Sequence, residues 1–95
     1  MTLTLDSRPR LVAWARLRRD PVSGGMLLLY PEKGLALTST GEAVLGLCGN
    51  NRSVRDIAAT LAMTHGALLD VVTADVLAFL GTLEERGLLQ QGTPA

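Results

Sequence analysis

Cysteine is nearly absent from this chain: Cys48 stands alone, so no internal disulfide can form. Histidine is equally scarce, with His65 the single example. A metal centre needs several convergent His, Cys or carboxylate ligands, and one histidine with one cysteine do not supply them. No histidine lies near Cys48 in sequence to activate its thiol, so Cys48 reads as a small hydrophobe on a helix face. His65, beside Gly66, reads as an ordinary loop residue. The aromatics are limited to Trp14, Tyr30 and Phe79, which leaves Leu, Val and Ala to build the core. Net charge is also missing, because nine basic and nine acidic residues cancel and remove any whole-chain drive toward nucleic acid or an anionic membrane. No apolar run approaches the roughly 20 residues that span a bilayer. The opening MTLTLDSRPR lacks the positive-then-apolar pattern of a secretory signal, so a cytoplasmic location is expected.

Catalytic constellations are absent as well. Asp70 and Asp75 lie five apart on a helical pattern and do not share a face for paired acid–base work; Glu84 and Glu85 are adjacent and diverge. There is no phosphate-binding loop of the Walker type, and Gly24-Gly25 lacks the strand-to-helix setting of a dinucleotide fingerprint. Neither an enzyme nor a cofactor-binding protein is expected.

What remains is a pattern of short strands followed by helices. An apolar content of 47% is that of a folded chain, and 95 residues suffice for one core. Residues 1–9 read as a flexible tail, 10–89 as a single domain and 90–95 as a frayed end. From Leu11 to Arg18 apolar residues alternate with a set containing Trp14, Arg16 and Arg18, the period of a strand. Asp20-Pro21-Val22-Ser23-Gly24-Gly25 is a turn cluster, and Met26 to Tyr30 is apolar throughout, as in a central strand. Pro31-Glu32-Lys33-Gly34 reverses the chain, and Gly34 to Thr38 closes a three-stranded antiparallel meander.

The period then changes to that of a helix. Ser39 stands three residues before Glu42, the spacing of a capping box, and Ala43, Val44, Leu47 and Cys48 line one stripe. Gly49-Asn50-Asn51 ends this helix with residues that tolerate a left-handed backbone. Ser53 with Asp56 caps a second helix, Val54–Ala62, whose inner face is Val54, Ile57, Ala58 and Leu61. Met63 to Gly66 is a break. A third helix, Ala67–Arg86, stops at Gly87 and puts Leu68, Val72, Val76, Phe79, Leu80 and Leu83 on its core face. Leu88 and Leu89 fold back onto the core. The expected fold is therefore α+β: a three-stranded antiparallel sheet followed by a three-helix bundle, with a winged-helix-like arrangement.

Two surfaces in this scheme invite a partner. The last strand of the meander sits at a sheet edge, where unpaired backbone groups can take up an extended peptide. On the third helix Leu77 lies away from the core sector among Thr73, Ala74, Ala78 and Gly81, small residues that admit a close backbone. Either this flank packs on the protein's own elements or it lines a groove for a partner. The basic set Arg8, Arg10, Arg16, Arg18 and Arg19 is either a solvated strand face or, with Trp14 as an apolar anchor, a dock for an acidic partner enzyme. A winged-helix fold raises the alternative of a small DNA-binding regulator, but the third helix carries Asp70, Asp75, Glu84 and Glu85 against the lone Arg86, the wrong sign for phosphates. A monomer is expected, with a homodimer paired through the same free edge as a rival state.

The ordered set Leu29-Tyr30-Pro31-Glu32, Leu37, Thr40, Leu45, Leu47-Cys48, Ser53-Val54 and Ile57 resembles the PqqD family of pyrroloquinoline quinone biosynthesis. Asp75-Val76, Phe79-Leu80, Leu83 and Arg86-Gly87-Leu88 extend the resemblance, which covers residues 8–89. It departs at Leu37-Thr38-Ser39, where Leu-Asn is frequent, and at Gly49-Asn50-Asn51, which replaces a common Asp-Gly turn. The resemblance implies a peptide chaperone, a recognition element for ribosomally made precursor peptides. It would bind the peptide PqqA and present it to the radical SAM enzyme PqqE. It further implies that the peptide adds a strand to the third strand of the sheet and packs on the third helix. Carried onto this chain, the strand is Leu35, Ala36, Leu37 and Thr38, and the helix face is Thr73, Leu77 and Gly81.

Overall fold

The structure is a computed structural model that describes residues 3–31, 33–49 and 51–91. In chain order it contains strands β1 (Pro9–Leu11), β2 (Arg16–Arg19), β3 (Met26–Tyr30) and β4 (Lys33–Ala36). Helices α1 (Ser39–Leu47), α2 (Val54–His65) and α3 (Leu69–Glu85) follow, and strand β5 (Leu89–Gln91) closes the described chain. The architecture is α+β, as the change of hydrophobic period requires. Strands β2, β3 and β4 form one antiparallel sheet in that order, and β1 pairs with β5 in a separate antiparallel ribbon.

The all-apolar β3 is central because both its neighbours pair with it, and alternation along it decides which face is covered. Leu28 is fully buried toward the helices, while Leu27 and Leu29 point to the opposite, half-exposed face. Leu28 joins Val44 of α1, Ile57 of α2, and Val76, Leu80 and Leu83 of α3 in one core cluster. Each such side chain contributes about 1.5–3 kcal/mol by leaving water. Leu88 and Leu89 close the core beneath α3, as the sequence suggested.

Helix ends follow local chemistry. Ser53 accepts from Asp56 N–H at 3.1 Å, and the Asp56 carboxylate accepts from Ser53 N–H at 3.3 Å, a complete capping box. At α1 the cap is Thr38, one residue earlier than expected: its hydroxyl accepts from Gly41 N–H at 3.0 Å, and Ser39 is the first helical residue. Gly66 takes the left-handed conformation at the end of α2, which runs on through His65, so His65 is helical and exposed. The third helix starts at Leu69 rather than Ala67, and Leu68 is its cap, 75% exposed instead of core.

The first strand expected over residues 11–18 is two strands. Leu11 pairs with Leu89 of β5, Val12 N–H donates to the Leu88 carbonyl at 2.9 Å, and a turn at residues 12–15 separates β1 from β2. The C-terminal ladder captures the first half of the alternating segment. Of the tail expected over residues 1–9, residues 3–9 are packed chain, and residues 1 and 2 lie outside the described residues. Ser7 and Pro9 are buried, Leu3 and Leu5 pack on the core, and carbonyls of this segment meet the start of α2. The Ser7 carbonyl accepts from Val54 N–H at 2.8 Å, and the Leu5 carbonyl from Arg55 N–H at 2.9 Å. First-turn N–H groups of a helix have no intrahelical acceptor, so they recruit the passing strand. The expected fraying from residue 90 is likewise shifted, since Gln90 and Gln91 pair with Arg10 and Pro9. Residues 92–95, Glu32 of the turn and Asn50 of the α1 stop lie outside the described residues.

Candidate functional site

The β3–β4 hairpin defines the sheet edge residue by residue. The register pairs Leu27 with Ala36, Leu28 with Leu35, Leu29 with Gly34 and Tyr30 with Lys33. Leu37 N–H donates to the Met26 carbonyl at 3.0 Å. In an antiparallel ladder, directly opposed pairs alternate between exchanging hydrogen bonds and not doing so. The Met26–Leu37, Leu28–Leu35 and Tyr30–Lys33 pairs therefore turn inward, and the N–H and C=O of Gly34 and Ala36 turn outward. Their side chains are the smallest available and point to the uncovered face, so nothing bulky guards this edge. Among the described residues β4 pairs with β3 alone, and the β1–β5 ribbon belongs to a different sheet. Of the four positions expected at the edge, Leu35 and Leu37 are half-buried with inward backbones, Ala36 faces out, and Thr38 has left the strand to cap α1.

One flank of α3 faces the end of the hairpin and the start of α1. Its C-terminal end is tied to the hairpin by Arg86, whose Nη1 donates to the Tyr30 hydroxyl at 2.9 Å. Further up, the Phe79 ring lies against Gly41 in the first turn of α1, immediately after β4. Val72 and Asp75 continue the stripe along a cleft of about 280 Å³ that Ser39, Thr40 and Ala43 of α1 also line. Phe79, Thr82 and Arg86, at helical spacing, thus share the side of α3 that meets Gly41 at the start of α1 and Tyr30 at the end of β3.

Thr73 and Leu77 do not belong to that side. With Leu5, Arg55 and Ala59 they line a second cleft of about 410 Å³ between α3, α2 and the N-terminal segment. Leu77 and Phe79 are two residues apart, hence about 160° apart around the helix. Thr73 and Leu77 thus lie on a different flank of α3 from Phe79, and Gly81, one turn beyond Leu77, is half-buried. The helical period places Leu77 off the core but leaves open which of two non-core flanks faces the sheet; Phe79, expected on the core face, is half-buried and reaches Gly41 of α1.

The basic strand has a comparable division. Arg16 and Arg18 stand opposite Leu29 and Leu27 on the outer face of the sheet, exposed and in no ion pair among the described residues. Arg19 points the other way and is engaged by Glu42 at 2.8 Å and by the Gly24 carbonyl at 2.7 Å. Trp14 lies in the turn before β2 and is 52% exposed, so it is not core. Burial pushes the Cys48 thiol up to about 11, which keeps it protonated and unreactive near neutral pH. No cluster of three His, Cys, Asp or Glu side chains fit to hold a metal occurs among the described residues.

Residues 25–89 match the family model for coenzyme PQQ synthesis protein D, PqqD. A PqqA binding protein of Bradyrhizobium diazoefficiens is 35% identical over 85 residues, covering 90% of this chain and 82% of that one. The bifunctional coenzyme PQQ synthesis protein C/D of Methylorubrum extorquens is 35% identical over 83 residues, covering 87% of this chain and 22% of that longer one. Among solved structures, the PqqD truncation of Methylobacterium extorquens PqqCD, described as a functional stand-alone RiPP recognition element, superposes with a TM-score of 0.83. It is 32% identical, and the match covers 94% of this chain and 95% of that one. PqqD from Xanthomonas campestris superposes less closely, with a TM-score of 0.60 at 31% identity, covering 94% of this chain and 99% of that one. The chain belongs to the PqqD family.

Proposed function

We propose that this protein binds the peptide PqqA during pyrroloquinoline quinone synthesis, as a peptide chaperone rather than an enzyme, and holds the peptide as an added strand on β4. The observation that carries this reading is the main chain of Gly34 and Ala36, turned away from β3 on the edge of β4 that pairs with no strand among the described residues. The relatives named as PqqA binding proteins support the choice of peptide. Backbone pairing is tolerant of sequence, so side-chain contacts must select the ligand; Leu35 and the α3 flank of Phe79, Thr82 and Arg86 are the surfaces within reach of a guest strand. This replaces the Thr73–Leu77–Gly81 face expected from the sequence.

The holding function implies a recipient. We assign that role to the radical SAM enzyme PqqE, with Trp14, Arg16 and Arg18 as the docking face on the opposite side of the sheet from the helices. Arg19 contributes less because Glu42 already engages it. A peptide made on the ribosome is met in the cytoplasm, which is where we place the complex.

Isothermal titration of the full chain with synthetic PqqA, followed by sedimentation with PqqE, tests both parts. The first requires saturable one-to-one binding that protects the Gly34 and Ala36 amides from hydrogen exchange. Unchanged exchange at those amides in the bound state would falsify strand addition. The second requires a ternary species that Arg16→Glu with Arg18→Glu removes while PqqA still binds. A second copy could pair through the same edge, in which case added PqqA shifts a dimer to monomer.

A further inference from the structure

We infer that the hairpin end of the β4 groove is a carboxylate-selecting subsite, built from Tyr30, Lys33 and Arg86, which demands an acidic side chain in the bound peptide. The inference rests on the β4-edge reading above and adds the chemistry of one ligand position.

Three donor-bearing residues belong to this end of the hairpin. Tyr30 and Lys33 are directly opposed across the hairpin, so their side chains share one face. That is the helix-facing side, because Leu28 and Leu35 lie two residues further along the same alternation. Arg86, at the end of α3, places Nη1 on the Tyr30 hydroxyl at 2.9 Å. The hydroxyl therefore accepts from Arg86 and keeps its own proton for another acceptor. Arg86 Nη2 and Nε and the Lys33 ammonium make no hydrogen bond or ion pair among the described residues. An ammonium, the rest of a guanidinium and a phenol O–H offer donors and no free acceptor apart from the phenol oxygen, so the matching group is an ionised carboxylate. The Tyr30 bond also fixes the Arg86 fork, which reduces the ordering cost of a second contact.

The register converts this into a sequence rule. A guest strand bonded to Gly34 and Ala36 puts the residues opposite Lys33 and Leu35 on the helix-facing side. These two guest residues are two positions apart, since side chains alternate. The bound peptide must therefore carry an Asp or Glu opposite Lys33 and an apolar residue two positions away opposite Leu35. An amide in place of the carboxylate loses the charge while keeping the shape.

The test titrates the full chain with synthetic PqqA and with variants in which each Asp or Glu is changed singly to its amide. One such change is expected to weaken binding about fivefold, in the range of a well-formed exposed ion pair. The same change is expected to have no effect on Arg86→Gln, to have a reduced effect on Tyr30→Phe, and to lose most of its effect at high salt. The sensitive position must lie two residues from an apolar one. If every amide peptide shows the same ratio on wild type and on folded Arg86→Gln and Lys33→Gln, while Ala36→Pro still weakens binding about tenfold, the subsite is overturned and the edge reading stands. Binding indifferent to Ala36→Pro overturns the edge reading and the subsite with it.

Discussion

Gly41, in the first turn of α1, lies under the ring of Phe79 in α3, so close that a Cβ built on the glycine would stand 2.9 Å from one ring carbon and 3.1 Å from the next. The contact ties the first turn of α1 to the Phe79 flank of α3. Replacing Gly41 by Ala adds helix propensity worth up to ~1 kcal/mol but forces the ring aside, at a cost of ~1–3 kcal/mol for overpacking. The net expectation is destabilisation by about 1 kcal/mol in urea unfolding. In a Phe79→Ala background the obstruction is gone, and Gly41→Ala should then stabilise. Equal effects in both backgrounds would show that the two residues are not coupled.

Proline separates the two sets of backbone groups on β4. Ala36→Pro removes an outward N–H, so the fold should persist while PqqA affinity falls about tenfold, the weight of one lost main-chain bond. Leu35→Pro removes an inward N–H bonded to Leu28 and should disrupt the hairpin itself. Circular dichroism and peptide titration on the two variants check the assignment, and the reverse outcome would mean the register is shifted by one.

The two flanks of α3 are distinguished by a pair of substitutions. Phe79→Ala should weaken PqqA binding about tenfold, because the ring stands on the β4 side. Leu77→Glu should leave affinity within about twofold while lowering stability, because Leu77 packs on the core beside Leu5 and Ala59. Loss of binding in Leu77→Glu with an intact fold would restore the flank read from the sequence.

Truncation tests the N-terminal segment. Deleting residues 1–7 removes the acceptors of Val54 N–H and Arg55 N–H and the Asp6–Arg55 ion pair. Two lost main-chain bonds at a helix start correspond to about 2 kcal/mol, and the uncovered apolar surface adds to this. A shortened protein as stable as the full chain by thermal unfolding would return residues 1–7 to the status of a tail.

Cys48 makes a pH prediction. Burial raises its pKa from 9.0 to about 11, so between these values the unfolded chain releases the thiol proton and the folded chain keeps it. The contribution is complete below pH 9 and is lost as pH rises toward 11. The thermal midpoint of the natural protein should therefore fall more steeply over that interval than that of Cys48→Ala. Parallel profiles would show that the thiol is more exposed than the structure has it.

Hydrophobic period and cap chemistry alone determined the three-stranded meander followed by three helices, the central place of Met26–Tyr30, the Ser53–Asp56 box and the stop at Gly87. These are short-range effects, and the residues concerned interact with neighbours a few positions away. Three matters were settled only by contacts distant in sequence. The first is the conversion of the expected tail into packed chain, because the acceptors for the start of α2 come from Leu5 and Ser7. The second is the split of the Leu11–Arg18 alternation, because β5 returns from the far end of the chain to pair with its first part. The third is which side of α3 meets the sheet. A 3.6-residue period tells inside from outside but is indifferent between two lateral flanks. Gly41 against Phe79 and Tyr30 bonded to Arg86 remove that degeneracy, and both contacts exist only once sheet and helices are packed together.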